Sequence, residues 1–278
     1  MRRAGTLEEA LVLLAQPPGT WRPFAGGTDL MVLLAAGMLR HQQFVSIWGI
    51  RELRRIDVAD DTVHLGAATT YSDLLRHETL RREFPLLLAA AAETGGAANQ
   101  NQGTLGGNIA NASPAADTPP VLLAYDAELE IVSVRGRRVV PYHLFHTGYK
   151  QTDLAPDELI TGIRLPRRGG WNGHYRKVGA RRAQAISKVC FAGTLKAEDG
   201  RITDVRLAFA SVAPTVIRAT ATEHMLRSAA LDPERIERAA ATLASELAPI
   251  DDIRSTATYR LRVAQNLLRE FLEARSRA

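Results

Sequence analysis

Residues 104–117 read TLGGNIANASPAAD. Paired glycines, Gly106 and Gly107, and the polar residues Thr104, Asn108 and Ser113 interrupt a chain otherwise made of ordinary helix and strand formers. Glycine has no Cβ and admits positive φ, so such a stretch lets backbone come close to another group. A second glycine turn, Gly26-Gly27-Thr28-Asp29, lies between an extended stretch, TWRPFA (20–25), and an apolar run, LMVLLAAG (30–37), whose last residue suits a left-handed helix cap. Each turn alone reads either as a tight turn with a helix stop or as a cradle whose successive N–H groups face one anion, with a helix start behind it adding positive potential. Thr28, Thr104, Asn108 and Ser113 favour the cradle, because they place uncharged hydrogen-bonding groups beside both turns. Two such cradles could grip a pyrophosphate from opposite sides. Asp29 would repel that anion, so it is expected to point away and cap the helix that follows.

Outward from these turns the chain divides into readable elements. Thr6-Leu-Glu-Glu9 has the pattern of a capping box, followed by Leu7, Ala10, Leu11 and Leu14 at helical spacing. Asp60-Asp61 marks a turn, a helix is expected from about Ser72 to His77, and FPLLLAAAAET (84–94) reads as a helix ended by Gly95-Gly96. A short helix, a strand pair turning at Arg135-Gly136 and the strand DELITGIRLP (157–166) come next. RRGGWN (167–172) is the best boundary, dividing an expected domain 1–170, with subdomains of about 1–55 and 56–170, from a second domain 171–278. In that second part Asp199-Gly200 between two strand-like runs signals a hairpin. Val205, Leu207 and Phe209 share one strand face, a helix starts at Pro233, and Tyr259, Val263, Leu267 and Phe271 recur every four residues. The expected form is a sheet with helices on one face.

Composition narrows the function. The net charge of +5 arises from 31 Arg and 4 Lys against 30 acids, interleaved along the chain, and aromatic content is 6%. Nucleic-acid binders gather their charge and interleave it with stacking aromatics, so that class is set aside. The single cysteine, Cys190, excludes internal disulfides, all-cysteine zinc sites and an iron–sulfur cluster held by this chain alone. It is expected to be a buried apolar residue in a strand. No apolar run reaches the roughly 20 residues of a membrane span. Glu8 and Glu9 stand where a secretory signal would be apolar, and a cytoplasmic location is expected. His143 and His146 lack carboxylates at ligand spacing, so no metal site is assigned. Serine-nucleophile elbows, phosphate loops of the GxxxxGK[ST] type and a GxGxxG turn after a strand are all missing.

FAGGTDL (24–30) followed by GTLGGNIANASPAAD (103–117) resembles the flavin-binding middle subunit of the molybdenum hydroxylases, the group of xanthine dehydrogenase and carbon monoxide dehydrogenase. TLEEAL, DELITGIRLP, YRKVGARRAQAISKVC and STATYRLRVAQNLL extend the likeness nearly end to end. The resemblance implies an α+β, two-subdomain FAD-binding fold of the vanillyl-alcohol-oxidase (PCMH) type, followed by a smaller C-terminal sheet-and-helix domain. By that likeness Pro23, Phe24, Ala25, Gly26, Gly27, Thr28, Asp29 and Leu30 would wrap the pyrophosphate on one side, and Thr104, Leu105, Gly106, Gly107 and Asn108 on the other. Asp117 would hold a polar part of the cofactor, Thr161 would lie along it through backbone, Lys177 would approach the flavin end, and Ser113 is a further carry-over. The pattern departs from the family at Gln102, usually Arg, and at Asn99, often apolar.

The implied activity is that of an oxidoreductase subunit. Non-covalent FAD would pass electrons from [2Fe-2S] clusters on a small partner subunit to NAD, a quinone or oxygen, and a large partner would carry molybdopterin, arranged as a dimer of heterotrimers. No side chain of this chain is then required as a catalytic acid or base. Two other classes stay open: a standalone FAD-dependent oxidoreductase, and a degenerate, non-catalytic assembly subunit.

Overall fold

A computed structural model describes residues 1–181, 184–228 and 230–276. The chain opens with a parallel sheet in the order β1-β3-β2, made of Arg2–Arg3 (β1), Arg22–Phe24 (β2) and Phe44–Ser46 (β3). Helix α1 (Leu7–Leu14) buries Leu7, Ala10, Leu11 and Leu14 against it, the face that the sequence spacing marks. Its start differs slightly from a closed capping box. Thr6 accepts from the Glu9 amide, while the Glu9 carboxylate reaches one residue further back, to the Gly5 N–H at 2.7 Å. Helix α2 (Leu30–Ala35) buries none of its side chains: Met31 and Val32 are 53% and 65% exposed.

A five-stranded antiparallel sheet follows, in the order β4-β5-β10-β6-β7: Ile56–Val58 (β4), Thr62–Gly66 (β5), Glu128–Ser133 (β6), Gly136–Pro141 (β7) and Leu159–Pro166 (β10). A small pair, His146–Gly148 (β8) and Gln151–Thr152 (β9), is inserted between β7 and β10. The long excursion between β5 and β6 is helical: Tyr71–Arg76 (α3), Glu78–Glu83 (α4), Pro85–Glu93 (α5), Ala97–Gln102 (α6), Leu105–Ala110 (α7) and Pro119–Ala124 (α8). The glycine stretch 104–117 therefore holds a short helix, α7, which Thr104 starts by accepting the Gly107 amide at 3.1 Å.

The last part is a four-stranded antiparallel sheet, Asn172–Val178 (β11), Val189–Glu198 (β12), Arg201–Ala210 (β13) and Ile217–Arg218 (β14), with Thr220–Leu226 (α9), Pro233–Glu246 (α10) and Ala257–Ser276 (α11). Asp199 and Gly200, at φ 49° and 72°, make the β12–β13 turn, as Asp-Gly predicts. Val205, Leu207 and Phe209 face α10 and α11 and form a core with Phe191, Leu243 and Phe271. The opposite face is covered as well, which corrects the expectation of helices on one side. Cys190, Ala192, Ala208 and Ala210 leave a shallow floor, and α8 packs on it as part of the core of the five-stranded sheet. In α11 the buried stripe runs Arg260, Ala264, Leu267, Leu268, Phe271 and Leu272; Tyr259, counted with the core by its spacing, lies half out beneath the Lys188 ammonium.

Candidate functional site

The first glycine turn begins where β2 ends, with the Phe24 carbonyl accepting the Ile47 amide at 3.0 Å. Gly27 sits at φ 71°, and a Cβ there would also run into the Phe24 ring, so two constraints select glycine. The amides of Gly26, Gly27, Thr28 and Asp29 take no acceptor among the described residues. Four successive unpaired donors around one left-handed glycine form a nest suited to an anion. Pro23, Phe24, Ala25, Thr28 and Leu30 line this bend half-buried. Asp29 is exposed, and contrary to expectation it does not cap α2. Its backbone is already helical (φ −86°, ψ −43°), whereas a capping side chain needs an extended backbone to reach the first amides. Instead its Oδ1 accepts from Asn111 Nδ2 at 3.1 Å, and Asn111 Oδ1 accepts from Lys150 Nζ at 2.7 Å.

The second turn is built differently. Leu105 N–H donates to the Thr69 carbonyl (3.0 Å), Gly106 N–H to the Ala67 carbonyl (2.8 Å), Gly107 N–H to Thr104 Oγ1 and Asn108 N–H to the Thr104 carbonyl (3.0 Å). All four donors are committed internally, so the expectation of a second amide cradle is not met. Glycine is needed at 106 because a Cβ would press on Ala67. Gly107 is exposed, and Asn108 is half-buried with its Oδ1 accepting from Thr118 Oγ1 at 2.9 Å. The two turns nonetheless meet. A Cβ on Gly26 would collide with the Gln102 carbonyl, just before the second turn. One side thus offers donors and the other a close wall.

Beyond that wall Asp117 and Lys177 form an ion pair, Oδ2 to Nζ 2.7 Å, with side chains 11% and 7% exposed. Lys177 Nζ also donates to the Glu93 carbonyl at 3.0 Å. Asp117 Oδ1 is buried with no hydrogen-bond partner among the described residues. Burial drives the Asp117 carboxyl up to about 6, against the pull of Lys177 and with a small push from Glu93. Lys177 opens onto a cavity of about 610 Å³ lined by Glu93, Arg176, Val178, Gly179 and Gln184, within the usual size range of ligand pockets. Cys190 is fully buried in β12, its Sγ facing the Asp117 carbonyl, and burial pushes its thiol well up.

Two other residues stand apart. The Thr161 carbonyl accepts from Ala67 N–H (3.0 Å), placing Thr161 directly behind the second turn, and its hydroxyl donates to the Glu130 carbonyl. Ser113 accepts the Ala115 amide at 3.3 Å and closes its own loop, which is anchored to the C-terminal sheet by Ser211 N–H on the Pro114 carbonyl. Sequence reasoning missed Asn111, Glu93 and Tyr175. Asn111 lay inside the quoted stretch and could have been noticed there. The other two carry no local signal: Glu93 acts through its carbonyl, and Tyr175, on β11 two residues before Lys177, is brought beside Cys190 and Asp117 only by the fold.

A dinucleotide cofactor fits these residues. Unpaired amides at Gly26–Asp29 suit a diphosphate, glycine at 26 and 27 keeps the backbone bare, and the orphaned Asp117 Oδ1 suits a hydroxyl or N–H donor. Among the described residues no group of three or more His, Cys, Asp or Glu is placed to hold a metal, and no helix is long and apolar enough to cross a membrane.

The fold is α+β and the site suits a dinucleotide cofactor, and comparison with known proteins makes the assignment specific. Residues 1–168 match the family described as the FAD binding domain in molybdopterin dehydrogenase, and residues 174–274 the CO dehydrogenase flavoprotein C-terminal domain. The xanthine dehydrogenase FAD-binding subunit of Escherichia coli O157:H7 is 34% identical over 97% of this chain and 93% of its own length. The nicotine 6-hydroxylase medium subunit of Paenarthrobacter nicotinovorans is 31% identical over 95% and 92%. The solved carbon monoxide dehydrogenase from Hydrogenophaga pseudoflava superposes with a TM-score of 0.93 at 29% identity, over 97% of this chain and 94% of that one. The chain belongs to the FAD-binding medium-subunit family of the molybdenum hydroxylases, of the xanthine dehydrogenase and carbon monoxide dehydrogenase type.

Proposed function

We propose that this chain holds FAD non-covalently and relays electrons from [2Fe-2S] clusters of a small partner subunit to a terminal acceptor, NAD, a quinone or oxygen, while a large partner subunit carries molybdopterin. The observation that carries this reading is the meeting of the two glycine turns, one with four unpaired amides and the other with its amides internally bonded. In this reading Gly26 to Asp29 hold the diphosphate through backbone N–H groups. Pro23, Phe24, Ala25 and Leu30 shape the bend, and Thr104 to Asn108 form the wall opposite. Asp117 and Lys177 hold the flavin-proximal part, with Thr161 behind the wall and Ser113 fixing the loop that delivers Asp117. Bound flavin supplies the ability to take electrons singly and release them in pairs, and the chain supplies position and electrostatics. The apolar side chains that α2 leaves exposed are of the kind buried at subunit contacts, which supports a place in a larger assembly such as a dimer of heterotrimers.

The test is the purified chain, alone and in its complex. Alone it should take up FAD and show a flavin spectrum, yet turn over no substrate. In the complex, substrate added without air should bleach the flavin only when the iron–sulfur subunit is present. A colourless chain that ignores added FAD refutes the reading, and turnover by the chain alone favours a standalone oxidoreductase.

A further inference from the structure

Within the chain itself Asp117 Oδ1 is buried without a donor among the described residues, which leaves it open to a donor on a bound group or to a proton. An unsatisfied buried acceptor is costly, more so when charged, and such a group calls for a physical reason. Among the described residues, Lys177 and Tyr175 on β11, Cys190 on β12, Tyr71 on α3 and Glu93 at the end of α5 face it from the surrounding elements. Burial drives Tyr71, Tyr175 and Cys190 upward, so all three stay neutral near neutral pH. Burial opposes the ionised carboxylate and outweighs Lys177, which favours it, while Glu93 adds a small push in the same direction as burial. Asp117 therefore stands close to its own titration, while Lys177, 2.7 Å away, links it to the cavity.

We propose that Asp117 is a redox-linked proton acceptor: as the bound cofactor gains electrons, Asp117 takes up one solvent proton at Oδ1, and the Lys177 ammonium couples the carboxylate to the cofactor's charge. This rests on the FAD reading above. The reductant is a one-electron iron–sulfur carrier on a partner chain, and its electrons arrive without protons. Negative charge added beside Lys177 draws on the same ammonium that stabilises the carboxylate, and it raises the carboxyl further. A water O–H bond then breaks, an O–H bond forms on Asp117, and the hydroxide is neutralised by bulk solvent. Reoxidation returns the proton, and no bond to the cofactor is made. Below about pH 6 the carboxyl is protonated in both redox states. Well above the reduced-state value it is ionised in both, so uptake is confined to the window between.

The experiment is the midpoint potential of bound FAD against pH in the wild-type complex and in Asp117→Asn. The wild type should fall more steeply with pH across the window opening near pH 6. The excess approaches ~30 mV per tenfold change in proton concentration, for one proton per two electrons. Asp117→Asn, which cannot take the proton, should lack that excess in whatever fraction retains FAD. Superimposable profiles overturn the proposal and leave the FAD reading standing, whereas a wild-type protein without FAD overturns both. If Asp117→Asn fails to retain FAD, the reduced-minus-oxidised infrared spectrum of the wild type decides. A protonated-carboxyl C=O band appearing on reduction and shifting in deuterium oxide supports the proposal, and no such band overturns it.

Discussion

Gly26 lies against the Gln102 carbonyl so closely that no side chain fits between them, although 76 positions separate the two in sequence. Replacing Gly26 with Ala should force the turns apart. We expect a loss of about 1–3 kcal/mol, the usual cost of overpacking, together with weakened FAD binding. Gly107→Ala is the contrast, since a Cβ there meets only the Thr104 hydroxyl. It should fold normally and alter FAD binding less. Chemical unfolding paired with FAD titration checks both, and a Gly26→Ala protein with wild-type stability and affinity would contradict the contact.

The Asp29–Asn111 hydrogen bond joins the end of the first turn to the C-terminal end of α7. Asp29→Ala, Asn111→Ala and the double variant should form a cycle with a coupling energy of about 0.5–1.5 kcal/mol, as for a hydrogen bond at a partly exposed site. Unfolding midpoints measure it. Simple additivity would mean that the bond does not make this link in solution.

Lys177→Met leaves the Asp117 carboxylate buried beside an apolar chain. Breaking a buried pair from one side costs about 3–5 kcal/mol, but Asp117 sits near its own titration and can escape by protonating. The loss should therefore be large at alkaline pH and shrink as pH falls through about 6 or above. A penalty independent of pH, read from urea unfolding across that range, would contradict the pairing.

Acid should loosen two other places. Arg167 and Arg82 beside Glu83 hold its carboxyl down at about 2, against an ordinary 4.5. At Asp252 burial pushes upward, but the amides of Arg254 and Ser255 and the Arg260 guanidinium win and hold it at about 2, against 3.8. A carboxylate held below its ordinary value stabilises the fold above that value and loses the contribution as pH falls through the lower one. Stability should therefore decline from about pH 4.5 toward 2, and Glu83→Gln should remove about 1 kcal/mol or less of it, as for a partly exposed pair. Thermal melts at stepped pH values test this, and an unchanged acid limb in the variant would rule Glu83 out.

Local chemistry made much of the fold legible. Thr6 and the Leu7, Ala10, Leu11, Leu14 spacing give α1, Asp199-Gly200 gives the β12–β13 hairpin, and two ordered motifs identify the family. What stayed hidden depends on neighbours distant in sequence. An apolar run such as LMVLLA carries no sign of whether its sides meet a core or remain exposed, and α2 remains exposed. Glycine permits close approach without saying to what: Gly106 is bare for Ala67 and Gly26 for Gln102. The amides of the second turn looked available only because Ala67 and Thr69, which accept two of them, come from another part of the chain. Asp117 and Lys177 could be named by family likeness, yet their ion pair appears only once the fold brings β11 to the loop between α7 and α8.

The alanine floor beneath α8 also bears on inheritance. The two family matches meet near residues 169–173, which makes that point look like a natural place to exchange halves between related proteins. It is a poor one sterically, because Ala192, Ala208 and Ala210 on one side of such a crossover must accommodate a helix encoded on the other. A chimaera joined there would bring bulkier donor side chains up against α8 unless the two had diverged in step, so the halves are bound to evolve as a matched set.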